Sequence, residues 1–145
     1  MEIYNSRYLD SNKRFLLAVL AGLVAAVGLG LAYGVIYSAL RVQSAVLYMF
    51  IGWCIGYVVR TVGRGVHLRF AVAGAVLTFI SIFIGDMCAM FGFSALLKIL
   101  TSFTFLNQAL GVWLKMYLST NLNSILGLLL RAAGIWFGFN YSRII

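Results

Sequence analysis

The chain has little charge and lacks the residue that most often breaks helices. Proline is absent, only three of the 145 residues are acidic, and charged residues make up 10% of the total. Because soluble domains carry about 25% charged residues, this composition excludes an ordinary soluble domain. Without proline, only glycine could interrupt helices in the manner of many transporters. Hydrophobic residues make up 63% of the chain, which predicts an integral membrane protein.

Side chains that commonly perform catalysis or bind metals are equally scarce. The chain has a single histidine, His67, and two cysteines, Cys54 and Cys88. None of them stands at a spacing typical of a metal site, a disulfide framework or a catalytic dyad. The glycine-containing strings lack the strand–turn–helix setting of a nucleotide site. We therefore expect no enzymatic activity, no catalytic residue, no bound metal and no cofactor.

Small residues recur at every fourth position of the first long apolar run, residues 15–40. This ladder comprises Ala18, Gly22, Ala26, Gly30, Gly34 and Ser38. About 20 apolar residues suffice to cross a bilayer, and small side chains on one face allow another helix to approach closely. The pattern predicts a membrane helix whose ladder lies in a close helix–helix contact. In the second run, Gly52 and Gly56 form a shorter motif of the same kind.

Long apolar runs predict an all-α bundle that forms a single transmembrane domain over residues 1–145. The expected membrane spans are about 15–40, 45–62, 70–91 and 124–141. After the second run, the string Gly63-Arg64-Gly65 is typical of a helix end. The expected architecture is therefore four transmembrane helices with an amphipathic segment before the last one.

That segment, residues 94–119, carries one narrow polar stripe on an otherwise apolar background. The stripe consists of Ser94, Lys98, Thr101, Thr104, Gln108, Gly111, Lys115 and Ser119. The segment could lie on the outer membrane interface with Trp113 toward lipid, pack its stripe against other helices, or line a pore in an oligomer. Because two lysines are hard to bury without acids, the interfacial arrangement is favoured.

Basic residues are distributed unevenly between the two sides of a four-span arrangement. One side would hold Arg7, Lys13, Arg14, Arg60, Arg64, Arg69 and Arg143, and the other would hold Arg41, Lys98 and Lys115. The positive-inside rule then puts both termini in the cytoplasm. A fifth span within residues 94–119 would move the C-terminus outside and is kept as an alternative.

The net charge of +8 is accounted for by topology and by contact with anionic headgroups, without nucleic acid. Arg60, Arg64 and Arg69 lie close together between the second and third runs. We expect these three arginines to meet lipid headgroups or the acidic surface of a partner.

One charge pair is expected inside the membrane. Arg131 lies within the fourth run, and an arginine in such a position is usually paired or faces a polar cavity. Asp86 is the only acid outside the N-terminal tail, and it stands at the outer end of the third run. We predict that the two side chains pair, either as a pin between helices or as an anion or proton site. Snorkelling of Arg131 to the headgroups is the further alternative.

The second and third runs carry a distinctive arrangement of glycines and arginines. Residues 51–65 read IGWCIGYVVRTVGRG, and residues 69–78 read RFAVAGAVLT. Together with the glycine ladder, these strings resemble a group of uncharacterised small bacterial inner-membrane proteins with a GxxxGYxVRxxGxG second helix. The resemblance implies a bacterial inner (cytoplasmic) membrane setting and no particular activity.

These features lead to one functional hypothesis and one alternative. We expect a non-enzymatic integral membrane subunit that assembles through small-residue helix packing, either with copies of itself or within a larger membrane complex. The alternative is a small channel or transporter that uses Arg131, Asp86 and the polar stripe of residues 94–119. The expected partners are membrane lipids, with anionic headgroups on the cytoplasmic side, and other membrane subunits.

Overall fold

The computed structural model describes residues 11–40, 45–64, 67–118 and 121–142, and this part of the chain contains helices and no strand. The helices are α1 (Ser11–Leu40), α2 (Ala45–Gly63), α3 (Leu68–Phe91), α4 (Phe93–Thr101), α5 (Phe103–Leu118) and α6 (Leu122–Tyr141). The all-α class predicted from the sequence is confirmed.

Three helices are long and apolar enough to cross a membrane. They comprise Asn12–Leu40, Val46–Gly63 and Leu68–Phe91, and they coincide with the first three expected spans to within a few residues. These helices make the chain compatible with an integral membrane protein. The expected fourth span corresponds to α6, which carries Arg131 and does not belong to this group of three.

Two residues, Gly63 and Arg64, end helix α2 in different ways. Gly63 packs tightly, because a Cβ atom at this position would lie 2.5 Å from the ring of Phe70. Arg64 adopts a left-handed backbone conformation with φ 44°, and its N–H donates to the carbonyl of Arg60 at 2.9 Å. A left-handed conformation costs a non-glycine residue about 1–2 kcal/mol. The helix therefore ends where the sequence predicted, with the strained φ on the arginine.

Contacts between small residues define the directions of the long helices. Gly22 of α1 faces Leu77 of α3, and farther along both helices Gly34 faces Cys88. Helices α1 and α3 are therefore parallel, as the first and third helices of an up–down bundle should be. Gly22 also faces Val59 near the end of α2, which is consistent with an antiparallel α1–α2 pair.

Helix α6 runs parallel to α2 and antiparallel to α3. Gly52 of α2 faces Gly134, and Gly56 faces Gly138 one turn later. On α3, the earlier residue Gly74 faces Ser142 at the end of α6. The start of α1, the end of α2, the start of α3 and the end of α6 therefore lie together at one end of the bundle. We call it the basic end. The opposite end, from which α4 and α5 extend, is called the hairpin end.

The small-residue ladder of α1 is filled by the chain itself. Its first five members are buried: Ala18, Gly22, Ala26, Gly30 and Gly34. A Cβ atom on Gly30 would lie 2.8 Å from the backbone carbonyl oxygen of Ser81, so α3 occupies the groove at backbone distance. Ser38 is exposed and donates to the carbonyl of its own helix residue Val35, so the contact stops before this residue.

This packing corrects one part of the functional hypothesis. The ladder, together with Gly52 and Gly56, was expected to support assembly with other chains. In the structure α3 covers the ladder, and α6 covers the two glycines of α2. These small residues are therefore not exposed for contact with another chain.

The segment before α6 forms two helices, α4 and α5. Gly92, with φ 84°, separates α4 from α3, and Ser102 in an extended conformation separates α4 from α5. The stripe residues Lys98, Gln108 and Lys115 are exposed. On the opposite side, Ile99 and Ala109 are buried in an apolar cluster with Met87 and Cys88 of α3.

The orientation expected for Trp113 is wrong. Its ring contacts Phe79 and Phe83 of α3 at centroid distances of 6.0 and 5.5 Å, so it faces the bundle and not the lipid. The sequence favours the opposite orientation because tryptophan is enriched at membrane interfaces. In the structure the indole supplies both an apolar ring for α3 and a hydrogen-bond donor for a buried acid.

Candidate functional site: a buried polar cluster

Asp86 and Arg131 form a two-pronged ion pair inside the bundle. The Nε atom of Arg131 donates to Oδ2 of Asp86 at 2.8 Å, and Nη2 donates to Oδ1 at 2.8 Å. Asp86 is only 3% exposed, and the Arg131 side chain is 13% exposed. Bidentate pairs of this kind are among the stronger hydrogen-bonded contacts in proteins. The structure thus brings together the two charges that the sequence pairs.

Glycines on the same face of α6 bring the arginine into position. Gly134 and Gly138 are buried against α2 and α3, and a Cβ atom on Gly134 would lie 2.6 Å from the carbonyl oxygen of Tyr48. This close approach lets the guanidinium reach α3. One turn before the arginine, the Gly127 carbonyl accepts a hydrogen bond from Nη1 of Arg131 at 3.0 Å.

Two tyrosines extend the ion pair toward α1 and α2. The Tyr48 hydroxyl donates to Oδ1 of Asp86 at 3.1 Å and accepts from Nη2 of Arg131 at 2.7 Å. The hydroxyls of Tyr33 and Tyr48 lie 2.7 Å apart. The guanidinium carbon of Arg131 also lies 4.5 Å from the centre of the Tyr48 ring, a cation–π distance.

Neither tyrosine was predicted from the sequence to belong to the site. Each stands on a face already marked by small residues: Tyr33 follows Gly30 by three residues, and Tyr48 precedes Gly52 by one turn. That register was the available signal that both rings point inward. The register does not reveal that the Tyr48 hydroxyl meets a carboxylate from a third helix, or that the Tyr33 hydroxyl meets that of Tyr48.

Trp113 completes the cluster from α5. Its Nε1 atom donates to Oδ2 of Asp86 at 3.2 Å. Among the described residues, four donor groups therefore converge on one carboxylate: two from the guanidinium, one from Tyr48 and one from the indole. We call Tyr33, Tyr48, Asp86, Trp113 and Arg131 the polar cluster; it joins α1, α2, α3, α5 and α6.

The chemistry of the polar cluster is that of a neutral, saturated network. The two formal charges cancel, and a carboxylate has about four acceptor positions for the four donors that it meets. In the described part of the chain, Ser81 Oγ is the buried side-chain polar atom without a hydrogen-bond partner, and it lies outside the cluster. Satisfied buried networks rigidify a fold, because breaking any one bond leaves a desolvated polar group behind.

The other residues singled out from the sequence do not join this site. Arg60, Arg64 and Arg69 are exposed at the basic end, whereas Asp86 lies toward the hairpin end. The stripe of α4 and α5 faces away from the cluster, and its last member, Ser119, lies outside the described residues. Within the described ranges, no group of three or more His, Cys, Asp or Glu residues could hold a metal ion.

Comparison with known proteins adds no functional information. No protein-family model matches the chain, and neither curated proteins nor solved structures give a match. The function is therefore argued from the geometry of the chain.

Proposed function

We propose that this chain is a non-catalytic membrane subunit with four spans, held rigid by the polar cluster. The observation that carries the proposal is the saturation of Asp86 by four donors from three other helices. A carboxylate in this state stabilises a structure but has no vacant position for a substrate proton or a metal. The arrangement therefore supports a structural role for the buried charges.

The fourth span in this proposal is α6. Its 20 residues extend for about 30 Å at 1.5 Å per residue, which equals the thickness of the bilayer's hydrocarbon core. It packs beside α2 and α3 from Gly134 to Ser142. The penalty for placing Arg131 in this helix is reduced because its charge is neutralised by Asp86.

Four spans predict that the two ends of the chain face the same side of the membrane. The described residues nearest the ends, Ser11 and Ser142, lie together at the basic end. The exposed arginines at this end favour the cytoplasmic side of a bacterial inner membrane, where anionic headgroups would meet them.

The surfaces proposed for assembly are an aromatic row on α2 and an exposed tryptophan on α6. Phe50, Trp53 and Tyr57 are exposed and form successive ring contacts along α2, each with centroids 6.1 Å apart. Trp136 is exposed on the neighbouring parallel helix α6. Membrane tryptophans usually lie at the two interfaces, but Trp53 stands in the middle of its helix. Aromatic side chains are also enriched where proteins meet.

Assembly is tested by measuring the mass of the protein extracted in native lipid. We expect a stable homo-oligomer or a complex with another membrane protein. Trp53→Leu combined with Trp136→Leu should raise the apparent Kd of that complex about tenfold or more, as for interface tryptophans. Phe105→Leu, which changes an exposed ring on α5, serves as the matched control. A lone monomer in native lipid would contradict the proposal.

The placement of α4 and α5 gives a second test. Both helices are shorter than a span, so we propose that neither crosses the membrane and that both lysines face the outer side, although Trp113 reaches the level of Phe79 in α3. In a Cys54→Ala/Cys88→Ala background, Lys98→Cys and Lys115→Cys should both react with an impermeant thiol reagent added outside intact cells. Reaction at one position alone would indicate a fifth span or a re-entrant hairpin and would favour the channel alternative.

A further inference from the structure

A shallow groove runs between α1 and α3 on the outside of the bundle. Its volume is about 550 Å³. Except for Arg69, its lining is apolar and includes Phe15 from α1 and Ala73, Val76 and Ile80 from α3. The groove is thus cationic at one end and apolar along the rest of its length. These properties complement the anionic headgroup and the acyl chain of an anionic lipid.

The length of the groove matches one leaflet of a bilayer. On α3 it extends from Arg69 to Ile80, a rise of about 17 Å at 1.5 Å per residue. Half of the hydrocarbon core measures about 15 Å. The groove therefore begins at the basic end, at headgroup level, and ends near the middle of the membrane.

The position of Arg69 distinguishes it from the other exposed arginines. Arg60 and Arg64 lie at the same end of the bundle but do not line the groove. Arg69 belongs to the first turn of α3, where the helix dipole also favours an anion. At the groove's inner edge, the rings of Phe15 and Phe70 meet edge to face with centroids 5.4 Å apart.

We propose that this groove holds one anionic phospholipid from the leaflet at the basic end. One acyl chain lies against α1 and α3, and the phosphate meets the Arg69 guanidinium. The inference rests on the membrane setting in the proposed function and deepens its lipid contact. It depends on α1 and α3, which both have the length and hydropathy of membrane spans, and not on α6 or on assembly.

The test is lipid retention measured by native mass spectrometry. The full chain is purified in mild detergent and mixed with equimolar phosphatidylglycerol and phosphatidylcholine that have the same acyl chains. Arg69→Gln should lower the ratio of bound phosphatidylglycerol to bound phosphatidylcholine about fivefold, the factor that corresponds to one basic residue near an anionic surface. Arg60→Gln should change that ratio by less than about twofold, because Arg60 does not line the groove.

Filling the groove tests the acyl-chain half of the proposal. Ala73→Phe should reduce retention of both lipids, and Val76→Phe, at a more exposed position, provides a second variant if the first folds poorly. Val24→Phe, on an exposed part of α1 outside the groove, is the matched control and should retain both lipids.

Three results would overturn the inference. An equal decrease in the ratio of bound phosphatidylglycerol to phosphatidylcholine for Arg69→Gln and Arg60→Gln would mean that diffuse positive charge attracts the lipid. Unchanged retention in both groove-filling variants would mean that no acyl chain lies there. Loss of a dimer in these variants would mean that a second copy fills the groove. None of these outcomes depends on the Trp53 and Trp136 surface, so failure here is distinguishable from failure of the assembly proposal.

Discussion

Replacing Asp86 by asparagine is expected to lower the free energy of unfolding by about 3–5 kcal/mol, the range for removing one partner of a buried ion pair. The substitution leaves the Arg131 guanidinium charged and desolvated. It also turns an amide N–H₂ group toward donors that previously met a carboxylate oxygen. Unfolding by SDS titration in mixed micelles, followed by circular dichroism, measures the loss.

The double variant tests whether the two charges act as a unit. Arg131→Gln in the Asp86→Asn background removes the uncompensated charge, so the double variant should be more stable than Asp86→Asn alone. Lys98→Gln removes an exposed cation instead and should leave the Asp86→Asn defect unchanged. Losses that simply add in the Asp86/Arg131 double variant would show that the two side chains do not interact energetically.

The pairing of Asp86 with Arg131 could be anticipated because the sequence offers almost no alternatives. One acid lies outside the N-terminal tail, and a buried arginine needs a partner. The tyrosines and the tryptophan could not be assigned in the same way. Aromatic rings fit an apolar helix pattern in any orientation, whereas the roles of these three residues depend on a single O–H or N–H that meets a polar group on another helix.

Small-residue periodicity marked the packing faces but not the partners. The ladder of α1 predicts a close contact, and any helix with a compatible surface could have supplied it. In the structure α3 divides its own small face: Ser81 and Gly85 lie against α1, whereas Gly74 and Thr78 lie against α6. Such a division depends on the crossing of three helices, which no single periodic pattern encodes.

The break within residues 94–119 had no sequence signal of the usual kind. The polar stripe continues through Ser102 at helical spacing, and no glycine or proline adjoins that residue. In the structure Ser102 is extended, and the Trp113 ring of α5 packs against Phe83 of α3. Tertiary contact therefore overrides a continuous local pattern, as it commonly overrides weak helix propensity.

Gly52→Ala is expected to be the most damaging of the glycine-to-alanine substitutions between α2 and α6. A Cβ atom on Gly52 would overlap the backbone carbonyl of Gly134, and a backbone cannot move aside as a flexible side chain can. The two helices must separate, which also pulls Arg131 away from Tyr48. Overpacking of this kind typically costs about 1–3 kcal/mol, and strain on the polar cluster should place the loss toward the upper limit.

Gly28→Ala provides the matched control, because nothing lies within 4 Å of a Cβ atom at that position. Alanine favours a helix over glycine by up to about 1 kcal/mol, so this variant should be as stable as the wild type or more stable. SDS titration measures the change in the free energy of unfolding for both variants. Changes of opposite sign would identify the backbone contact at Gly52 as the cause of its loss of stability. Equal effects at both positions would instead mean that α2 and α6 do not meet at Gly52, and α6 would lose its closest packing contact.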